Sequence, residues 1–161
     1  MCLIAQTQIW HNILMSVSNS LRKLEGDKDG LKTLNITHIL SVMRSLNPTF
    51  PDEFICKTID VLDSPDTNLA QYFDECFEFI EKARRSGGGV LVHCFAGISR
   101  SATIVLAYLM KKHRMSLSQA LKFVRSKRPR ISPNQGFRKQ LEMFEKSLGV
   151  TQDAKASESL N

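Results

Sequence analysis

A cysteine and an arginine separated by five residues, Phe95–Ser99, form the most chemically suggestive part of this sequence. Cys94 follows the short apolar run Val90–His93, and Arg100 opens a long apolar stretch, so the pattern predicts a strand, a tight loop and a helix. Such a turn aims successive backbone N–H groups into a concavity at the positive end of the helix. That potential would hold Cys94 as a thiolate, the form that acts as a nucleophile.

The same segment has the properties needed to bind phosphate. The planar guanidinium of Arg100 fits two phosphate oxygens at once, and Gly97 suits a backbone that must bend sharply. Nucleophile, anion cradle and transition-state stabilisation would therefore come from one loop. His93 neighbours Cys94 on an extended strand and points to the opposite face, which argues against a Cys/His protease. We expect His93 to hydrogen-bond nearby backbone and hold the loop.

Phosphate-ester cleavage also needs a general acid, which must protonate the leaving oxygen. Asp63 and Asp66 lie in the turn-rich segment D-S-P-D-T-N, and a loop acid that closes over a substrate is mechanically sensible. Both residues are candidates at this point.

The remaining periodicity predicts alternating strands and helices. Together they favour a three-layer α/β domain with a central twisted, mostly parallel sheet flanked by helices. Further strands are predicted at Ile36–Met43 and Phe54–Leu62, and helices at 9–24, Leu69–Ala83, from Arg100 to Met110, Ser116–Arg128, and from Ser132 to about Gly149.

Length and composition are those of one globular domain: 161 residues, 42% hydrophobic and 24% charged. We divide the chain into an atypical N-terminal segment (1–28), a catalytic domain (29–149) and a polar tail (150–161).

The net charge of +6 attracts anions in general. Four cysteines without C-x-x-C spacing predict no metal site and a reducing compartment, the cytoplasm or nucleus. No apolar run is long enough for a membrane span.

Three motifs resemble those of the dual-specificity phosphatases within the protein tyrosine phosphatase superfamily. They are H-C-x-x-G-x-S-R-S from His93, D-S-P-D-T-N-L from Asp63, and R-P-R-I-S-P-N-Q-G-F from Arg128. The resemblance covers residues 29–147, and N-I-T-H-I-L and Y-F-D-E-C-F-E-F-I look like small plant members without a targeting domain. It implies a protein tyrosine phosphatase-like fold and a hydrolase that uses no cofactor.

The resemblance also implies roles for individual residues. Asp63 matches the general acid, Ser101 the hydroxyl that helps the thiolate leave, and Asn134 a residue that braces the catalytic loop. The positions whose N–H groups would bind phosphate, together with Arg100, are Phe95, Ala96, Gly97, Ile98 and Ser99.

The implied substrates are phosphorylated proteins, with mitogen-activated protein kinases as a family-level expectation. Phosphatases with deep, tyrosine-selective pockets carry a K-N-R-Y-like run that is absent here, so we expect hydrolysis of phosphotyrosine and of phosphoserine or phosphothreonine through a cysteinyl-phosphate. The basic segment Leu117–Arg130 is a candidate site for acidic partners, calmodulin included. The simpler interpretation is a solvated basic face over a core-facing stripe. We expect neither nucleic acid nor membrane as a partner.

The same residues are also compatible with other functions. A non-catalytic phosphoprotein-binding module is the main alternative, because family members begin with a strand bearing a G-L-x-L-G-like turn that residues 1–24 do not match. The predicted helix at 9–24 would leave a sheet edge unpaired. A rhodanese-like sulfurtransferase is disfavoured by the S-R-S helix start and the upstream acid. A phosphoinositide phosphatase is disfavoured because Phe95–Ser99 contains no basic residue.

Overall fold

A four-stranded parallel sheet forms the centre of the computed structural model, which describes residues 13–15, 27–44 and 50–149. Its spatial order is β1-β4-β2-β3, and all three neighbouring pairs are parallel. The strands are β1 (Ile13–Met15), β2 (Ile36–Val42), β3 (Ile55–Ile59) and β4 (Gly89–His93). The predicted α/β class with a mostly parallel sheet is therefore confirmed.

Five α-helices connect or follow these strands in the described part of the chain. They are α1 (Lys28–Thr33), α2 (Phe73–Arg85), α3 (Arg100–His113), α4 (Leu117–Lys127) and α5 (Gln135–Ser147), and a 3-10 turn at Ala70–Tyr72 leads into α2. The predicted capping box of α4 is present, because Ser116 Oγ accepts from the Gln119 N–H while the Gln119 side chain accepts from the Ser116 N–H.

The two faces of the sheet are covered differently. Leu40, Val42, Val90 and Val92 face the larger core, which they share with helices α2 to α5. The alternate residues Ile39 and Leu91 face a smaller core with α1 and with Phe54. This alternation is the period-two pattern of a sheet buried on both sides.

Helix α3 occupies the centre of the larger core. Its residues Ser101 to Met110 are all buried, as the nearly continuous apolar sequence predicts. Because the helix begins at Arg100 and packs against β4 and β2, its N-terminus is fixed just beyond the carboxyl ends of those strands. That edge of an open α/β sheet is where ligand sites form.

The helix predicted at 9–24 is wrong at Ile13–Met15, which form a strand. These residues pair in parallel with β4, with Ile13 opposite Val90 and Met15 opposite Val92. Three apolar residues are too few to show the period of a helix or of a strand. Pairing with β4 supplies backbone hydrogen bonds to the sheet, which a helix at this position could not form. The rest of 9–24 lies outside the described residues. The sheet edge that we expected to be unpaired is therefore filled by β1, and β4 lies inside the sheet.

None of the described helices is both long enough and apolar enough to cross a membrane.

Removing β1 should destabilise the domain, because β4 would become an exposed edge. We expect deletion of residues 1–20 to lower the free energy of unfolding by about 1–2 kcal/mol and to promote self-association. Urea denaturation and size-exclusion chromatography measure the two effects. Deletion of residues 1–8 keeps the strand and serves as the control. Equal stability of the two deletions would contradict a structural role for the strand.

Candidate active site

The loop between β4 and α3 places the candidate nucleophile at the base of a tight turn. Cys94 directly follows β4 and is only 2% exposed, and Arg100 is the first residue of α3. Gly97 has φ of 61°, a left-handed conformation that favours glycine. Cys94 Sγ lies 3.2 Å from Ser101 Oγ in the first turn of the helix. A hydroxyl at this distance can stabilise a thiolate by donating to it.

Ser99 precedes α3 but does not cap it with its side chain. Its Oγ instead donates to Asp63 Oδ1 at 2.7 Å and accepts from the Asn134 N–H at 3.1 Å. One buried hydroxyl therefore joins the catalytic loop to the segment of Asp63 and to the start of α5.

Asp63 is held from two sides. Asn134 Nδ2 donates to the same Oδ1 atom at 2.8 Å, while Asn134 Oδ1 caps α5 by accepting from the Phe137 N–H at 2.9 Å. The other carboxylate oxygen, Oδ2, lies 3.9 Å from Arg100 Nε. Oδ1 thus accepts two hydrogen bonds, and Oδ2 is the carboxylate oxygen that faces Arg100.

Arg100 lies between the loop and the candidate acid. Its side chain is 12% exposed, and Nη1 donates to the Val61 carbonyl at 3.1 Å. The Val61 carbonyl, two residues after the end of β3, thus orients the guanidinium. The structure brings Cys94, Arg100, Asp63, Ser101 and Asn134 into one connected region.

The structure separates the two candidate acids. Asp66 is exposed, and its backbone N–H donates to Ser64 Oγ at 3.4 Å. Asp63, by contrast, contacts Ser99, Asn134 and Arg100. Both side chains are exposed, and Asp63 is the candidate that contacts the Cys94–Arg100 loop.

His93 is buried at the carboxyl end of β4. Its Nε2 lies 2.7 Å from Ser41 Oγ on the neighbouring strand β2. The Ser41 hydroxyl is thus one partner of the ring, and the expected hydrogen bond to nearby backbone stays a prediction. The contact ties the two central strands together one residue before the nucleophile.

Arg128, the first residue of the third motif, contacts the Cys94–Arg100 loop, a role that the sequence analysis did not assign to it. Its side chain is 3% exposed, and Nη2 donates to the Ala96 carbonyl at 3.2 Å. The sequence places Arg128 among the basic residues of a candidate partner surface, and that assignment is wrong for this residue because it is buried. Nothing in the local pattern distinguishes it from the exposed cations beside it. The nearby Ser132 N–H also supports the loop, donating to the Ile98 carbonyl at 2.9 Å.

The other described cysteines have environments that suppress reactivity. Burial raises the pKa of the Cys76 thiol to about 12, with a further contribution from Glu75, and burial also raises the pKa of Cys56. Both thiols are therefore protonated at neutral pH. Among residues 13–15, 27–44 and 50–149, no group of three or more histidine, cysteine or acidic side chains could hold a metal ion.

Comparison with known proteins identifies the family. Residues 21–147 match the dual specificity phosphatase catalytic domain, and the chain belongs to that family. It is 59% identical over 125 residues to dual specificity protein phosphatase 1 of Arabidopsis thaliana, covering 78% of this chain and 63% of that protein. The crystal structure of DUSP15 superposes with a TM-score of 0.77 at 35% identity, over 88% of this chain and 89% of that one.

A third relative is a larger protein. MAP kinase phosphatase with leucine-rich repeats protein 3 of Dictyostelium discoideum is 50% identical over 122 residues, which are 75% of this chain and 14% of that protein. The chain thus spans less than two thirds of the length of both relatives.

Replacing Ser99 should weaken the junction between the Cys94–Arg100 loop, α5 and the segment Asp63–Ala70. We call this last stretch the acid segment, because it carries the candidate acid Asp63. We expect Ser99→Ala to lower the free energy of unfolding by about 1–3 kcal/mol, because the Asn134 N–H and Asp63 Oδ1 each lose a buried partner. Urea denaturation measures the change. Ser126→Ala removes an exposed hydroxyl bound to the Phe123 carbonyl and should cost less than about 0.5 kcal/mol. Equal effects of the two substitutions would show that the junction contributes nothing.

Proposed function

We propose that this chain is a protein phosphatase that hydrolyses both phosphotyrosine and phosphoserine or phosphothreonine through a cysteinyl-phosphate intermediate. The observation that carries the proposal is that Asp63 contacts the Cys94–Arg100 loop twice, by accepting from the Ser99 hydroxyl and by placing Oδ2 3.9 Å from Arg100 Nε. We also propose a location in the cytoplasm or nucleus, where a reducing environment keeps the Cys94 thiol available.

In the first step, the Cys94 thiolate attacks phosphorus and the bond to the leaving oxygen breaks. The N–H groups from Phe95 to Ser99 and the Arg100 guanidinium stabilise the equatorial oxygens, where negative charge accumulates. Protonated Asp63 donates its proton from Oδ2 to the leaving oxygen. The products are the dephosphorylated hydroxyl group and a cysteinyl-phosphate.

In the second step, water attacks phosphorus while Asp63, now ionised, accepts a proton from the water. The sulfur–phosphorus bond breaks and inorganic phosphate leaves. Ser101 Oγ, 3.2 Å from Cys94 Sγ, donates a hydrogen bond to the departing thiolate. This lowers the energy of the leaving group in the step that depends on it.

Dual specificity is supported by the residues beside the catalytic groups. The chain lacks the K-N-R-Y-like run of deep, tyrosine-selective pockets. Phe95, which follows the nucleophile, is 69% exposed, and Leu62, which precedes the acid, is 55% exposed. These apolar side chains are available to contact a substrate peptide on either kind of phosphorylated residue.

Mitogen-activated protein kinases are our proposed substrates. The support is the Dictyostelium relative, which is named a MAP kinase phosphatase and is 50% identical to this chain over 122 residues.

The basic surface of α4 is a candidate site for acidic partners. The exposed cations of the candidate segment are Lys122, Arg125 and Lys127 on α4 and Arg130 after its end. Ala120 and Val124 of the same helix pack in the core. Calmodulin stays a candidate partner, but the groove-binding mode needs an exposed apolar helix face, so α4 would have to leave the core. An acidic segment that binds the exposed cations requires no such rearrangement.

Activity on paired phosphopeptides tests the proposed function. We expect release of phosphate from a phosphotyrosine peptide and from the matched phosphothreonine peptide without added metal. Cys94→Ser should abolish turnover with both peptides yet still bind them, because the amide cradle and Arg100 remain. Binding without turnover by the unmodified protein would instead favour the non-catalytic module, and activity confined to phosphotyrosine would contradict dual specificity.

The identity of the general acid can be tested by two parallel substitutions. Asp63→Asn should lower turnover of a phosphopeptide by roughly 10²–10⁴-fold and remove the basic limb of the pH–rate profile. The loss should shrink for aryl phosphates with good leaving groups, which need little protonation. Asp66→Asn is the matched control and should leave the profile unchanged. If Asp66→Asn alone shows the leaving-group dependence, the acid is Asp66.

A further inference from the structure

We propose that Gln140 is a positioning residue for the general acid, fixing the far end of the segment that carries Asp63. The proposal rests on the proposed role of Asp63 as the proton donor. Gln140 lies on α5, beyond the three motifs, and it was not among the candidate site residues.

The Gln140 side chain makes three hydrogen bonds to the backbone of the acid segment. Its Oε1 accepts from the N–H groups of Leu69 and Ala70, each at 2.9 Å, and its Nε2 donates to the Thr67 carbonyl at 2.8 Å. Both the oxygen and the nitrogen of the Gln140 amide are thus hydrogen-bonded to a segment about seventy residues earlier in the chain. A surface glutamine that only solvates a helix would not be bound in this way.

One turn earlier on the same helix, α5 contacts the middle of the acid segment. A Cβ atom placed on Gly136 would lie 1.9 Å from the Pro65 carbonyl oxygen and 2.6 Å from its carbonyl carbon. Only glycine allows this approach of backbone to backbone. Gly136 and Gln140 are four positions apart and therefore lie on one face of the helix.

Together with Asn134, these residues attach α5 to the acid segment at three successive places. Asn134 binds the Asp63 carboxylate, Gly136 admits the Pro65 carbonyl, and Gln140 holds Thr67 to Ala70. The segment's internal hydrogen bonds are short-range, such as Thr67 N–H to the Ser64 carbonyl at 3.0 Å. Its placement beside the Cys94–Arg100 loop therefore depends on α5 as well as on the Ser99–Asp63 hydrogen bond.

Loss of the Gln140 contacts should impair proton donation more than phosphate binding. Asp63 would keep its bonds to Ser99 and Asn134, but the segment would sample a wider range of positions. Misplacement of a catalytic group by about 1 Å can cost about 10²-fold in rate. The effect should appear only where the leaving oxygen needs a proton.

The test compares kcat/KM across aryl phosphates whose leaving groups span a wide range of acidity, since this parameter reports the first chemical step. Gln140→Met keeps the length of the side chain and removes its hydrogen bonds. We expect a loss on the order of tenfold for phenyl phosphate and less than about twofold for substrates with the best leaving groups. Gln135→Met, at an exposed position in the first turn of α5, is the control and should match the unmodified enzyme across the series.

Two further variants separate the possible outcomes. Asp63→Asn, measured on the same series, shows what complete loss of the acid does. Gln140→Glu retains an acceptor for Leu69 and Ala70 but cannot donate to Thr67, so we expect a smaller loss than with Gln140→Met, and it provides the test if Gln140→Met does not fold.

The leaving-group series also distinguishes failure of this inference from failure of the proposed function. If Asp63→Asn shows the leaving-group dependence and the Gln140 variants lose activity equally on all substrates, or not at all, Gln140 does not position the acid and the mechanism stands. If Asp63→Asn itself shows no such dependence, the assigned acid is wrong and the role of Gln140 is overturned with it.

Discussion

The hydroxyl of Ser99 is the interaction on which the geometry of the site depends. It donates to Asp63 and accepts from the Asn134 backbone, so a single oxygen atom joins the phosphate loop, the acid segment and α5. At most other helix starts a serine would cap its own helix. Ser99 does not make that capping bond, and its side chain instead fixes the relative positions of the Cys94–Arg100 loop, Asp63 and α5.

The sheet determines where this junction can form. Strand β4 lies between β1 and β2, and its carboxyl end leads directly into Cys94. The His93–Ser41 contact fixes the last residue of β4 to β2, and the buried helix α3 fixes the other end of the loop. A tight turn anchored at both ends has little freedom to rearrange, so its backbone N–H groups are preorganised for an anion.

The sequence predicted the local features well because local patterns determine them. The β4–loop–α3 unit and the α4 capping box follow from periodicity and from residues a few positions apart. The N-terminal helix failed because β1 depends on pairing with a strand about 75 residues later, which the period of Ile13–Met15 does not encode. Arg128 and Gln140 were missed for the same reason: a buried arginine and a bound glutamine look like surface residues until the chain brings their partners to them.

The distances along the chain between these partners have a consequence for biosynthesis. Cys94 and Arg100 are close in sequence, whereas the Asp63–Asn134 hydrogen bond spans 71 positions. A nascent chain that has emerged from the ribosome only as far as α3 possesses the thiol, the guanidinium and the Ser99 hydroxyl, but it lacks the Asn134 amide that also holds the carboxylate. Contacts between distant parts of a chain form late, since closing the long loop costs entropy before any bond is gained. The attachment of Asp63 is therefore completed only when α5 docks, and an incomplete translation product has the Cys94–Arg100 loop with only part of the contacts that hold Asp63.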